Sequence, residues 1–157
     1  MGRNAQDHKA TELRAFPLFA ACSDDELRAV AASFDEVHVD VGRKLCEQGR
    51  LSKACYVLLD GSAQVSIGAR RLCTVAAGDV VGELSVLDLL PRTATVVTTV
   101  PTRALTTSSH VFRGLLASTP PLALSLLDVL SRRVRAFDMA FAAEHDRRSQ
   151  LVGAGHD

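Results

Sequence analysis

From Glu36 to Thr107 the apolar period is two, and it holds only in short runs, each cut off by a glycine or a proline. Val37, Val39 and Val41 alternate with polar residues before Gly42, and Lys44-Leu-Cys-Glu-Gln-Gly49 is a second short run ending in glycine. CYVLLDGSAQVSI, residues 55–67, reads as two strands joined at Asp60-Gly61, a dipeptide favoured in hairpin turns. RLCTVAAGD (71–79) adds a strand and a turn. Thr93–Thr99 and Thr102–Thr107, split by Val100-Pro101, give a further β-branched pair. Short, closely spaced strands of this kind can bury an apolar face only by curling together, as in a barrel, jelly roll or sandwich.

Helical patterns flank this zone. Residues 10–34 read as helical with a break at Pro17, and after Cys22 the run Ser23-Asp-Asp-Glu26 has the form of a capping box. Leu27, Val30, Ala31 and Phe34 follow at helical spacing. On the far side, Ser108 or Ser109 can cap a short helix through Leu116, ended by Thr119-Pro-Pro121. A long helix over about 121–145 then carries Ala123, Leu127, Leu130, Val134, Phe137 and Phe141 as an a/d stripe of nearly three heptads. It outruns what one short roll can cover, which favours a seam between two copies over packing on the chain's own core. Residues 146–157, charged and then glycine-containing, read as a flexible tail. The expected organisation is one domain over 10–145, its roll over about 36–107, with no internal boundary.

Composition narrows the function. Eighteen basic and eighteen acidic residues cancel, so no overall field draws nucleic acid or an anionic membrane. No apolar run approaches the ~20 residues of a membrane-spanning helix, and the N-terminus has no secretory pattern, so a cytoplasmic location is expected. Cys22, Cys46, Cys55 and Cys73 are scattered and read as buried or half-buried free thiols; neither they nor the five histidines have metal-ligand spacing. No G-x-S-x-G, HExxH or P-loop sequence occurs, so the chain is expected not to be an enzyme.

One segment carries chemistry. GELSVLDLLPRTATV (82–96) follows Gly78 and offers a helical turn from Glu83 to Leu87, whose first amides can point at an anion. Arg92 supplies a fork for two phosphate oxygens, and an ionised Glu83 accepts from a sugar hydroxyl. The same spacing also suits an ion pair between Glu83 and Arg92 beside a tight loop, and spacing by itself slightly favours that pair.

GDVVGELSVLDLLPRTATV resembles the phosphate-binding cassette of the cyclic nucleotide-binding domain family, whose pattern is roughly F-G-E-[LI]-[AS]-L, a spacer, then P-R-[AST]-A-[TS]. Gly42, Gly49, Gly61, Gly78 and Gly82 fall where that family's β-roll turns its corners, and the resemblance covers about residues 10–142. It implies a mainly β fold: a double-stranded β-helix, or jelly-roll, with N-terminal helices and a long C-terminal helix. It further implies that Glu83 holds the ribose 2′-hydroxyl and Arg92 the exocyclic oxygens of the cyclic phosphate. Backbone amides around Gly82, Leu84, Ser85 and Ala94 would complete the cradle, with hydroxyls from Ser85 and Thr93. Val65 and Leu72 would flank the base, and Phe137 or Asp138 would lie over it as a lid. Val81 departs from the aromatic residue usual before the glycine.

The expected ligand is cAMP rather than cGMP, with no cofactor. The expected role is a sensor that signals through its C-terminal helix to an effector protein or a second protomer. Only about a dozen residues follow Glu144, too few for a helix-turn-helix reader, so direct nucleic-acid binding is not expected. Arg132, Arg133, Arg135, Arg147 and Arg148 read as a solvated basic helix face. The alternatives are a non-binding dimerisation module on the same fold, or the regulatory part of a larger channel, kinase or transferase.

Overall fold

A computed structural model describes residues 2–153. Two helices, α1 (Gly2–Arg14) and α2 (Asp24–Ala32), precede eight strands. The strands are β1 (Asp35–Val39), β2 (Lys44–Cys46), β3 (Ala54–Asp60), β4 (Ser62–Ile67), β5 (Arg70–Ala76), β6 (Val80–Val81), β7 (Thr95–Thr98) and β8 (Thr102–Ser108). A short helix α3 (Glu83–Asp88) lies between β6 and β7, and α4 (Ser109–Ser118) and α5 (Pro120–Gly153) close the chain. The strands form two antiparallel four-stranded sheets, ordered β1-β8-β3-β6 and β2-β7-β4-β5.

The sheets enclose one core and the helices cover another. Leu45, Cys46, Leu58, Ala63, Val75, Val81 and Val96 meet inside the roll. Cys55, Val57, Leu59 and Leu105 turn to the other face of the first sheet, against Leu13, Phe19, Leu27, Val30 and Phe112. Phe34 and Phe112 meet edge to face there, 6.5 Å apart at 85°. This double duty explains why β3 breaks the alternation of its neighbours. Its run CYVLL is apolar at consecutive positions because both faces are covered.

The Asp60-Gly61 turn is not the hairpin that its sequence predicts. β3 belongs to the first sheet and β4 to the second, so the turn carries the chain across the roll. Val100-Pro101 does the same between β7 and β8, and the two crossovers touch. The Ser62 and Thr99 hydroxyls lie 2.6 Å apart, and the Thr99 amide donates to the Ser62 carbonyl at 2.9 Å. Gly61 has φ 101; a Cβ there would stand 2.8 Å from Thr102 Cα and 2.9 Å from the Pro101 carbonyl oxygen. The corner therefore needs glycine for conformation and for space. The true hairpin is β4–β5, paired from Ser62↔Ala76 to Ile67↔Arg70.

The helices begin and end differently from the sequence expectation. The capping box forms: the Ser23 hydroxyl accepts from the Glu26 amide and the Glu26 carboxylate from the Ser23 amide. α1, however, starts at Gly2 rather than near residue 10, because polar contacts hold it where no apolar period exists. His8 meets Glu12 at 3.2 Å and Asp7 meets Arg28 of α2 at 3.5 Å. Ser108 is the cap of α4. α5 extends through Gly153, so residues 146–153 of the expected tail are helical; Arg148 meets Glu144 at 3.2 Å, one turn apart. Residues 154–157 of that tail lie outside the described residues.

α5 buries only its start. Leu122 and Leu126 enter the helical core, and Val129 and Leu130 pack against it. Beyond them Val134, Phe137 and Phe141 are 60%, 69% and 67% exposed, so the stripe is not consumed by the chain's own core. Among the described residues no single helix is long and apolar enough to cross a membrane.

Candidate functional site

Gly82 opens α3 with φ 84, and a side chain there would collide with Arg92. A Cβ would overlap Nη1 and stand 3.0 Å from Cζ and 3.1 Å from the Ala54 carbonyl oxygen. The glycine thus leaves the gap that the guanidinium fills. Arg92 Nη1 donates to the Gly82 carbonyl at 2.7 Å and Nη2 to the Ala54 carbonyl. The residue is 3% exposed. Its Nε has no hydrogen-bond partner, and no carboxylate pairs with its charge among the described residues.

Glu83, the first residue of α3, is 2% exposed and pairs with Arg133 of α5. Arg133 Nη2 also donates to the Val80 carbonyl at 3.0 Å. Burial pushes the Glu83 carboxyl above the usual glutamate value, outweighing the opposing attraction of Arg133. The pair between Glu83 and Arg92, one of the two arrangements that spacing allows, does not form. Burial also raises the Cys46, Cys55 and Tyr56 groups near this centre, Cys55 to about 12, which makes the buried thiols inert at neutral pH. Cys73 departs from expectation: it is exposed, because β5 is the edge strand of its sheet.

Glu83 and Arg92 line a cavity of about 610 Å3 bounded by the second sheet, α3 and α5. Gly82, Leu84, Ser85, Thr93 and Ala94 line it with them. Val65 enters from β4, Leu72 from β5 and Phe137 from α5. The structure thus gathers every residue singled out from the sequence around one space, except Asp138. That residue follows Phe137 by roughly 100° of helical rotation and is not part of the lining.

Two local features shape the walls. Residue pairs Cys46↔Val96, Val96↔Val65 and Val65↔Cys73 set a row of four side chains across the second sheet. The register then shifts: Val65 faces Cys73 but Ser66 faces Arg71, which leaves Leu72 without a partner. This bulge brings consecutive residues, Leu72 and Cys73, onto the cavity, where plain alternation would admit only one. On α5, Leu130, Arg133, Val134 and Phe137 share one face and all reach the cavity. Arg133 therefore leaves the solvated stripe in which the sequence places it. Its position three after Leu130 and four before Phe137 is the signal that marks it as inward.

The residues from Glu36 to Thr119 match the family model described as cyclic nucleotide-binding domain. The chain is 26% identical over 123 residues to the CRP-like cAMP-activated global transcriptional regulator of Mycobacterium tuberculosis, covering 75% of this chain and 55% of that protein. It thus spans little more than half the length of that relative. Its fold superposes on the crystal structure of Thermus thermophilus catabolite activator protein with a TM-score of 0.75, at 25% identity over 82% of this chain and 63% of the other. The co-crystal structure of the regulatory domain of Toxoplasma gondii PKA with cAMP gives a TM-score of 0.72 at 20% identity, covering 85% and 51%. The matched model spans more than half of the sequence and takes in the whole roll with its glycine-gated arginine; the chain belongs to the cyclic nucleotide-binding domain family.

Proposed function

We propose that the chain is a cyclic nucleotide sensor, with cAMP as its preferred ligand and no catalytic step of its own. The observation that carries this reading is the Arg92 guanidinium: buried, hydrogen-bonded by two carbonyls, with Nε unpartnered and no carboxylate in salt-bridge contact among the described residues. A buried cation without an anion is costly, and a phosphate at this end of the cavity would supply both the charge and the missing acceptor. The amides around Gly82, Leu84, Ser85 and Ala94, with the Ser85 and Thr93 hydroxyls, complete the cradle. Glu83 accepts from the ribose 2′-hydroxyl, Val65 and Leu72 flank the base, and Phe137 lies over it. That the mycobacterial relative is a cAMP-activated regulator supports the choice of nucleotide.

The same geometry couples ligand to helix. Glu83 is shared between the ribose and Arg133, so a nucleotide alters the contact that ties α5 to α3. A ligand shifts a conformational equilibrium only through such differential contacts. The exposed stripe on α5 offers the output surface, toward a second protomer or an effector protein, in the cytoplasm and without direct nucleic-acid contact. A non-binding module would have no use for a buried arginine whose Nε has no hydrogen-bond partner.

Calorimetric titration with cAMP and cGMP tests the reading. Arg92→Ala is expected to cost roughly 2–5 kcal/mol, about thirtyfold to several thousandfold in affinity. Absence of heat from both nucleotides would sink the sensor, and unchanged affinity in the variant would sink the role of Arg92.

A further inference from the structure

Glu83 is the buried acid of the cavity, and among the described residues Arg133 is the one cation in salt-bridge contact with it. Arg92 does not share that task, because its two terminal nitrogens are taken by the Gly82 and Ala54 carbonyls. Cys46 and Cys55, which also feel the charge of Glu83, are thiols that burial keeps neutral. Arg133 Nη1 meets Glu83 Oε1, and its Nη2 donates at 3.0 Å to the Val80 carbonyl of β6, the edge strand of the first sheet. The guanidinium is therefore braced from two directions and engages one carboxylate oxygen, which leaves Oε2 outside the contact. The match to the family model ends at Thr119, so α5 and Arg133 lie beyond the segment it describes.

We infer that Arg133 is a positioning residue: from α5 it holds Glu83 as an aligned anion, and through Glu83 it sets how strongly the cavity distinguishes ribose from 2′-deoxyribose. The inference rests on the cyclic nucleotide reading and adds the residue that gives its sugar contact strength. A carboxylate as buried as Glu83 is costly unless a cation faces it, and removing the cation leaves the effect of burial unopposed. Glu83 then takes up a proton and is no longer an acceptor-only group. Hydrogen bonds to an ionised partner are roughly twice as strong as neutral ones, so the contribution of the 2′-hydroxyl shrinks. Docking of α5 thus decides how firmly the sugar is held, and it does so without touching the phosphate or the base.

Calorimetric titration of the full chain and of Arg133→Ala with cAMP and with 2′-deoxy-cAMP at neutral pH tests this. The parent is expected to bind 2′-deoxy-cAMP about tenfold or more weaker than cAMP, as for a lost hydrogen bond to a charged group. In Arg133→Ala, cAMP is expected to lose about tenfold and 2′-deoxy-cAMP less than about threefold, so that the ratio between them falls at least threefold. An arginine that merely staples α5 in place would weaken both nucleotides alike, and a ratio that falls by less than about threefold overturns the inference. Arg133→Gln, which keeps a donor without the charge, gives the same readout should the alanine variant not fold. If cAMP does not bind the parent, the sensor reading fails first. If the parent binds both nucleotides equally, the ribose role of Glu83 fails and this inference with it. A parent that discriminates, with the ratio unchanged in the variants, sinks the role of Arg133 alone.

Discussion

Glu83 and Arg92 are buried charges held in opposite ways. Arg92 is gripped by carbonyls and lacks an anion, whereas Glu83 has a cation, yet burial still raises its pKa. The folded value lies above the unfolded one, so the group's contribution to stability is fully present below the unfolded value, about 4.3. It is lost as the pH rises through the folded value. Glu83→Gln, neutral throughout, is expected to melt above the parent protein at neutral pH while binding cAMP less tightly. That advantage should shrink as the pH is lowered toward about 4. Thermal unfolding across the range checks the sign, and an advantage that grows on acidification would contradict it. At this scale much of the site was legible: a glycine, an acid and an arginine at this spacing left only two arrangements. Arg133 was not legible as a site residue, because a helix surface rich in arginine looks solvated until the partner across the gap is known.

At the scale of elements, local signals predicted where the chain turns better than what each turn joins. Asp60-Gly61 suits any tight turn at positive φ, and the sequence around it says nothing of which sheet receives the next strand. That choice is made by residues about forty positions away, where Thr99 and Thr102 meet Ser62. Gly61→Ala is expected to cost about 1–3 kcal/mol, since both the left-handed backbone and the Thr102 main chain oppose a Cβ. Urea unfolding should show the loss as a lower midpoint with little change in cAMP affinity. A midpoint equal to the parent's would mean that the corner is not fixed as described. The first turns of α1 and the last of α5 escaped prediction for a related reason. Both are polar segments held by ion pairs and side-chain contacts, which leave no apolar rhythm to read.

For the whole molecule, the proposed function makes the long helix the link between binding and assembly. The stripe that the sequence marked as a seam is the face that lines the cavity at Leu130, Val134 and Phe137, and its outer part remains exposed. One side chain can thus serve both ends of the signal. Phe137→Glu is expected to weaken cAMP binding and to shift a dimer to monomer in sedimentation velocity. A dimer that persists in the variant would move the interface elsewhere. The binding effect presupposes a phosphate seated on Arg92, and that contact can be observed directly. In the 15N–1H spectrum of arginine side chains, the Arg92 Nε–H, unpartnered in the free protein, should move markedly downfield when cAMP saturates the site and stay in place with adenosine, which lacks the phosphate. An Arg92 Nε–H resonance unmoved at saturating cAMP would contradict the assignment.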